Sequence, residues 1–449
     1  MEFQKRFKEF SRKLKGVEVH TDLCYRVVYN YDATQLRGRC AGVVYPRSVD
    51  DIVSVVKYAG DYGVPLYVRG AGSGFSGGAV PVVEGVVVSM EKLNRVLWFD
   101  PSRWLVAVES GVVNGELQRY LAGRGFFYPP DPASLEFSTI GGNIAENAGG
   151  PRAFKYGVTR RYIHALEWVT SRGDVVDYPM GGVTSILVGG EGGLGVIYSA
   201  VLSVLPLPEA VKTALITMPG GAEAVGFAVK VILAGLKPTV LEYIDSKTMI
   251  CVGEYIEVEG FNKSDAYIFV EFDGVAEDVE TQFEMLKDIC RREGAAVKEA
   301  KNKVERELLW DLRRSISPSL ARRGITKVNE DVTFPIGKLE EAVDFMEALA
   351  LELSLDCYVF GHCGDGNLHV NIMTDRRRTE EMRRAEHFVE RLFEKVVELG
   401  GSLSGEHGIG LTKRRYLPLL FNEEQIEFAK EIKRTFDPAL ILNPGKYFS

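Results

Sequence analysis

The feature that most limits what this chain can fold into is the run Arg69-Gly70-Ala71-Gly72-Ser73-Gly74-Phe75-Ser76-Gly77-Gly78. Five glycines between 70 and 78 leave backbone N–H groups uncovered, which suits a concave anion nest better than the interior of a helix or strand. Gly72 to Gly77 matches GxGxxG, and so does Gly190-Glu191-Gly192-Gly193-Leu194-Gly195. With 47 glycines in 449 residues the pattern alone decides nothing, so its context has to. A dinucleotide fingerprint must open a helix whose N-terminus faces the pyrophosphate. Here the first match runs into Gly78-Ala79-Val80-Pro81-Val82-Val83 and the second into Val196-Ile197-Tyr198, both strand-like. The Rossmann reading fails, leaving a strand, a glycine loop with Arg69 at its edge, and a second strand. The segment from Pro129 to Gly157 is long, poor in strand and helix formers, and repeats small residues where a flat ligand can lie against backbone. One large cofactor fits both segments.

Length and charge narrow the class further. A chain of 449 residues, 46% hydrophobic and 26% charged, exceeds what one core usually organises, so two or three domains are expected. Apolar runs break within a few residues, well short of the roughly 20 needed for a membrane span. The net charge is −8 and no basic block stands out, which removes nucleic acid from the expected partners. Met1 to Lys15 is basic but carries Glu2 and Glu9 and has no apolar core before a cleavage site. It reads as a surface helix with Phe3, Phe7, Phe10 and Leu14 on one stripe, not as a targeting peptide. Cysteines 24, 40, 251, 290, 357 and 363 form no CxxC pair. They suit a reducing cytosol and argue against an iron–sulfur cluster held by this chain. The expected location is cytoplasmic, with peripheral attachment at the inner face of a membrane left open by the basic N-terminal helix.

Along the chain, residues 40–205 are Gly-rich and β-branched, with strands such as Gly42 to Tyr45, Leu66 to Val68 and Val86 to Ser89. Helices are expected over Val49 to Tyr62 and Val113 to Gly123. Pro206 and Pro208 close this region. Beyond it, helical patterns at Glu223 to Leu236 and Ala276 to Gly294 accompany strands at Ala214 to Thr217 and Tyr267 to Val270. Further helices are expected over Thr379 to Leu399 and Asn422 to Phe436. The fold class is α+β rather than doubly wound.

Of six histidines, three lie in two glycine-rich motifs, GHCGDGNLH (361–369) and GEHGIG (405–410). Asp365-Gly366 is a favoured two-residue hairpin turn, flanked by Cys357 to Phe360 and Leu368 to Ile372. Counting back from it pairs Gly364 with Asn367, Cys363 with Leu368, and His362 with His369. The two imidazoles then share one face with Cβ atoms about 5 Å apart, a spacing suited to one ion. Asn371 lies on the same face. Glu406 can supply an oxygen ligand, because glycines 405, 408 and 410 permit an irregular backbone that aims Glu406 and His407 at a common point. Two His and one carboxylate with open positions is a catalytic pattern, suited to zinc, with manganese or iron as alternatives.

Taken together, Arg69 to Gly78, Thr139-Ile140-Gly141-Gly142-Asn143 through Gly150, Tyr156-Gly157 and Gly190 through Gly195 resemble the FAD-binding domain of the vanillyl-alcohol oxidase superfamily (PCMH type). The histidine motifs narrow the resemblance to the branch that holds D-lactate dehydrogenase, the flavin subunit of glycolate oxidase, and D-2-hydroxyglutarate dehydrogenase. It runs from about residue 35 to Asn443-Pro444-Gly445-Lys446. The resemblance implies a two-part FAD domain plus a sheet-and-helix substrate (cap) domain. Its divisions are an N-terminal helical segment (1–34), the FAD-binding domain (35–208), the cap with the metal site (209–420) and a C-terminal segment returning to the FAD domain (421–449). FAD contacts are expected at Arg69, Gly70, Gly72, Ser73, Gly74, Phe75, Ser76 and Gly77. Pro130, Asp131, Ser134, Thr139, Gly142, Asn143, Ala148, Gly149, Tyr156 and Gly157 are expected to add to them, as are Glu191, Gly192, Gly195, Ile197 and Asn443. Covalent members often carry a His in the first glycine loop. Ser73 and Phe75 stand there instead, so the FAD is expected to be non-covalent.

The resemblance likewise implies His362, His369 and Glu406 as metal ligands and His407 as the base. In Trp310-Asp311-Leu312-Arg313 it implies that Arg313 pairs with a substrate carboxylate, a bidentate contact that Lys cannot match. A lone Arg here would otherwise make a surface ion pair with a Glu such as Glu307. Ser317, Lys327 and Asn371 join the expected substrate contacts. The implied reaction oxidises a D-2-hydroxy acid, with D-lactate first and glycolate or D-2-hydroxyglutarate as alternatives. Electrons pass to a separate cytochrome, quinone, electron-transfer flavoprotein or iron–sulfur subunit, and a homodimer is left open. Three rivals are an ether-forming transferase of the alkyl-dihydroxyacetonephosphate synthase type, a metal-dependent hydrolase, and a non-enzymatic flavin-binding subunit of a larger complex, against which the intact His and Glu set argues. The first reaction involves no net oxidation, and the second leaves the glycine loops without a role.

Overall fold

The computed structural model describes residues 3–179 and 181–446. Met1 and Glu2 of the expected N-terminal segment and residues 447–449 of the C-terminal one lie outside the described residues. The chain forms two compact units: the first takes in residues 1–149, 158–207 and 406–449, the second residues 150–157 and 208–405. The fold is α+β.

In the first unit, β1 (Glu18–His20), β2 (Cys40–Tyr45), β3 (Leu66–Arg69) and β4 (Gly85–Ser89) form one sheet in the order β1-β2-β4-β3. β2, β4 and β3 run parallel, and β2 and β4 are buried along their whole length, as parallel strands covered on both faces must be. One face meets Ile52, Val55, Val56 and Ala59 of the helix Val49–Tyr62 together with Phe7 and Phe10 of the helix Phe3–Lys13. Both ends of Val49–Tyr62 were legible. Ser48 accepts the Asp51 N–H as N-cap, and Gly63 at φ 61° closes the C-terminus in the left-handed region.

Further along come β5 (Val96–Asp100), β6 (Leu105–Glu109), β7 (Phe126–Phe127), β8 (Ile163–Val169), β9 (Val175–Pro179), β10 (Val196–Ser203) and β11 (Leu205–Pro206). Five of them make an antiparallel sheet ordered β5-β6-β10-β8-β9, while β7 pairs with β11. Two local expectations are corrected. Residues 78–83 form no strand: the Val80 N–H closes a turn on Gly77 O at 3.1 Å, Pro81 has no N–H to offer a ladder, and pairing resumes only at Gly85. The segment from Pro129 contains the helix Ile140–Glu146, because Thr139 caps the Gly142 N–H and Asn147 ends it at φ 53°.

The C-terminal residues complete this unit. The Leu66 N–H donates to Ile441 O and the Asn443 N–H to Leu66 O, both at 2.7 Å, so the chain end lies along the free edge of β3. Lys433, 2% exposed, fixes that return: its Nζ donates to Gly193 O, Leu442 O and Asp437 Oδ2, each at 2.6 Å.

The second unit is built on one antiparallel sheet of β12 (Ala210–Pro219), β13 (Val240–Ile244), β14 (Asp265–Gly274), β15 (Ala296–Glu299), β16 (Thr326–Thr333), β17 (Asp356–His362) and β18 (Asn367–Thr374). Their order is β15-β12-β14-β13-β17-β18-β16. One face packs Val240, Ile244, Tyr358, Phe360 and Met373 against the helices Ser246–Ile256, Lys303–Arg314 and Ile316–Leu320.

Replacing Lys433 by Met should strand the Asp437 carboxylate and two carbonyls. The expected cost is about 3–5 kcal/mol, read as a lower denaturant midpoint; an unchanged midpoint would show that Lys433 does not hold the chain end.

Candidate active site

In the first unit, residues 70–75, 132–134, 138–148 and 191–197 contribute to the wall of one cleft, which Glu406 and His407 also line. Of the expected cofactor contacts, Gly70, Gly72, Ser73, Gly74, Phe75, Ser134, Thr139, Gly142, Asn143, Ala148, Glu191, Gly192, Gly195 and Ile197 face it. Others stand behind the wall. Arg69 is buried, donates to Tyr31 O at 2.7 Å and lies over the Tyr29 ring, so it holds the loop rather than lining the cleft. Ser76 O accepts the Leu411 N–H at 2.7 Å, and Pro130 O accepts from Asn114 Nδ2 at 3.2 Å. Asn443 Nδ2 donates to Glu191 O at 2.6 Å and Gly78 O at 3.1 Å, joining the two glycine loops. Gly77, Asp131 and Gly149 are also outside the lining. Tyr156 and Gly157 belong to the second unit, where the Tyr156 hydroxyl donates to Asp273 Oδ1 at 2.8 Å.

Sequence reasoning missed Ser110, Ser138 and Glu146, which line the same cleft. Ser110 Oγ, Ser138 Oγ and Asn143 Nδ2 are buried with no hydrogen-bond partner among the described residues. Buried polar atoms normally have partners, so a wall carrying three without one fits a polar ligand the size of FAD. Two of the acids in the cleft wall, Glu146 and Glu191, lie close together. A Cβ at Gly408 would lie 2.7 Å from Glu146 Oε2 and 2.8 Å from Glu191 Oε1. Glu191 accepts the Ile409 N–H at 2.8 Å and the Gly410 N–H at 2.8 Å, which anchors the loop carrying Glu406 and His407. Burial pushes both carboxyls up, Glu146 well above the usual range with the charge of Glu191 adding to the effect. The His407 ring lies 5.4 Å from that of Phe75.

In the second unit, a polar row crosses the four strands β13, β17, β18 and β16 on the helix-covered face: Glu242, His362, His369, Asp331. His362 Nδ1 bonds Glu242, whose other oxygen accepts from Arg313 Nε at 2.6 Å. His369 Nδ1 stands 3.6 Å from Asp331 Oδ1. The two Nε2 atoms face each other at 3.4 Å. Two ligands on one tetrahedral ion at roughly 2.1 Å are themselves about 3.4 Å apart, so the pair fits a divalent metal. Carboxylates behind both rings would fix their tautomers. Burial pushes Glu242 up, but the charges of Arg313 and His362 outweigh it and hold the carboxyl at about 2.

The hairpin register differs from the expected one. Phe360 stands opposite His369 and His362 opposite Asn367. Residues 363–366 do not form a two-residue turn because their polar groups bond neighbouring strands: the Gly364 N–H and Cys363 Sγ donate to Leu241 O, and Gly366 O accepts the Phe334 N–H. The slip is two residues, so the faces are unchanged and the imidazoles still meet. Arg313 makes no surface pair with Glu307; that partner belongs to Arg314. No hydrogen bond from the terminal guanidinium nitrogens of Arg313 is found among the described residues, and its guanidinium lies over the Phe360 ring at 5.3 Å. Ser317 is exposed, and burial lowers Lys327 to about 8. Asn371 is fully buried and occupied, its Oδ1 accepting from Asn329 Nδ2 at 2.7 Å. Glu242 and Asp331 escaped sequence reasoning; the one available signal was an isolated carboxylate inside an otherwise apolar strand pattern such as Val240-Leu241-Glu242-Tyr243-Ile244.

Comparison with known proteins gives the family. Residues 207–447 match the C-terminal domain of FAD linked oxidases and residues 40–178 the FAD binding domain. The chain belongs to the FAD-linked oxidase family. It is 36% identical to the glycolate oxidase subunit GlcD of Bacillus subtilis (strain 168), covering 94% of this chain and 92% of that relative. It is 31% identical to a D-lactate dehydrogenase of Anaerostipes hadrus over 99% and 97% of the two chains. It is also 30% identical to a D-2-hydroxyglutarate dehydrogenase of Stutzerimonas stutzeri (strain A1501) over 91% of each. The solved structure of 4-ethylphenol oxidase from Gulosibacter chungangensis shares the fold with a TM-score of 0.81 at 16% identity, covering 99% of this chain and 97% of that one. This FAD-linked oxidase is thus an enzyme of the D-2-hydroxyacid dehydrogenase and oxidase group, with a vanillyl-alcohol oxidase-type FAD domain.

Gly74 lines the cleft, and a Cβ there meets nothing within 4 Å. Gly74→Leu should therefore fold normally yet exclude FAD, giving a colourless protein whose unfolding midpoint matches that of the flavin-free wild type. Full flavin occupancy in this variant would place the cofactor elsewhere.

Proposed function

We propose that this FAD-linked oxidase oxidises a D-2-hydroxy acid to the 2-keto acid, with D-lactate the first candidate and glycolate and D-2-hydroxyglutarate the alternatives. The observation that carries the reading is the buried row Glu242–His362–His369–Asp331 beside Arg313, in a chain whose relatives are named for 2-hydroxy-acid oxidation. Arg313 supplies the carboxylate contact: Glu242 holds its Nε and turns the rest of the guanidinium fork toward the substrate. Ser317 and Lys327 are weaker candidates for the same role, and Asn371 acts by supporting the His369 strand. His362 and His369 are the proposed metal ligands, with Glu406 third by the sequence reading; zinc is favoured, and such an ion polarises a bound hydroxyl. His407 takes the hydroxyl proton as general base. Non-covalently bound FAD supplies the hydride acceptor. Glu242, bonded to His362 Nδ1, keeps Nε2 turned toward His369, where the pair would hold a divalent ion.

The electrons leave to a separate acceptor. Supporting this, the cysteines are dispersed and free, and a close relative is named as a subunit. No helix among the described residues is long and apolar enough to cross a membrane.

The reading is tested by anaerobic absorbance. D-lactate should bleach the bound flavin while L-lactate does not. A flavin that no D-2-hydroxy acid reduces would overturn it. His407→Ala should cut kcat by roughly 10²–10⁴-fold with a far smaller change in KM, and near-normal turnover would remove His407 as the base. Glu242→Gln should weaken metal retention by about 10–100-fold, measured by chelator competition with elemental analysis; undiminished retention would separate Glu242 from the ion.

A further inference from the structure

Glu146 is a cleft-lining acid that the proposed mechanism does not use. It ends the helix Ile140–Glu146, and its carboxyl is accommodated by two glycines. A Cβ at Gly78 would lie 2.8 Å from its Oε1, and one at Gly408 2.7 Å from its Oε2. Oε2 is shut off from solvent, and no hydrogen bond to the side chain is found among the described residues. We propose that Glu146 contacts the cofactor directly, donating a hydrogen bond to an acceptor atom of the flavin ring.

Which of the two acids keeps a proton follows from their partners. Glu146 and Glu191 flank Gly408, and the nearby backbone donors, the N–H groups of Ile409 and Gly410, both go to Glu191. Those bonds stabilise charge on Glu191 and none stabilises it on Glu146. Asp32 adds repulsion. Lys446 attracts, but its Nζ donates to Gly77 O and Gly78 O at 2.7 Å each. Glu146 therefore sits in the cleft with its O–H to give. A donor without a partner is unfavourable where water cannot reach it, as at Oε2, and the group that enters this cleft is FAD. The ring rather than the phosphates is the acceptor because Gly408 adjoins His407, and a base must work beside the reacting ring; this step rests on the function proposed above.

The test is the flavin itself, on FAD-loaded protein without substrate. Glu146→Gln keeps a donor and Glu146→Ala removes it. Glu146→Met, similar in length, replaces the alanine variant if that fails to fold. A donor on the ring favours the electron-rich reduced form. The donor-less variants should shift the visible flavin bands and lower the preference for reduced over oxidised flavin roughly tenfold, about 30 mV for two electrons. The Gln variant should match wild type. An alanine or methionine variant with unchanged spectrum and potential overturns the proposal, as does a change in FAD affinity alone. A Gln variant that shifts as far as Ala overturns it too, since the group would then act as a carboxylate. Wild-type protein that binds FAD but is reduced by no D-2-hydroxy acid would defeat the proposed function while leaving this comparison readable.

Discussion

The second unit is organised around a carboxylate with no access to solvent. Glu242 sits in β13 inside a seven-stranded sheet, where an unpaired charge would cost several kcal/mol. It is tolerated because Arg313 meets one oxygen and His362 the other. That requirement fixes three elements: the helix Lys303–Arg314 must lie over β13, β17 must be its neighbour, and the His362 ring must present Nε2 outward. The same helix meets a second buried carboxylate, Glu271 in β14, through Arg306 Nε at 2.9 Å and Trp310 Nε1 at 2.8 Å. Two paired acids under one helix set its position more narrowly than apolar packing alone, which tolerates sliding.

The first unit solves a different problem. A cleft walled by glycine backbone has few side chains to hold it, so its loops are tied from behind. Lys433, Asn443 and Lys446 donate to the carbonyls of Gly193, Glu191, Gly78 and Gly77. All three donors come from the C-terminal part of the chain, which explains why a segment more than two hundred residues beyond the glycine loops belongs to the same unit.

What the sequence made legible was whatever several residues signal together. The helix Val49–Tyr62 has a cap at each end and an apolar stripe between them, and its observed bounds are the expected ones. The strand before the first glycine loop, Leu66–Arg69, and the shared face of His362 and His369 were equally readable, whereas residues 78–83 after the loop were not, because the turn at Gly77 and the missing N–H of Pro81 defer pairing to Gly85. Nor was the hairpin register. Its turn type was inferred from Asp365-Gly366 alone, while the loop's polar groups bond Leu241 and Phe334, residues far away in sequence. The helix Ile140–Glu146 was hidden because glycines at 141 and 142 lower its intrinsic propensity, and its Thr139 cap is one residue. Glu242 and Asp331 are held by long-range partners, and the Glu146 carboxyl packs against glycines 78 and 408, far away in sequence, which no local pattern reports.

Three of the left-handed non-glycine residues of the first unit fall in the same places as its ties. Glu191, Asn443 and Asn147 all adopt left-handed φ values of 47°, 46° and 53°, where glycine would be comfortable. Each keeps a side chain that glycine lacks and that the structure uses. Glu191 receives the backbone of residues 409 and 410. Asn443 bonds the carbonyl of Glu191 itself. Asn147 Oδ1 accepts the Arg160 N–H at 2.9 Å, holding the end of the helix Ile140–Glu146. Two neighbouring strained residues, one bonded to the other and that one to the loop of His407, make a hydrogen-bonded path from Asn443 to that loop. Glycine at either position would relieve the torsion and leave that loop without its anchor.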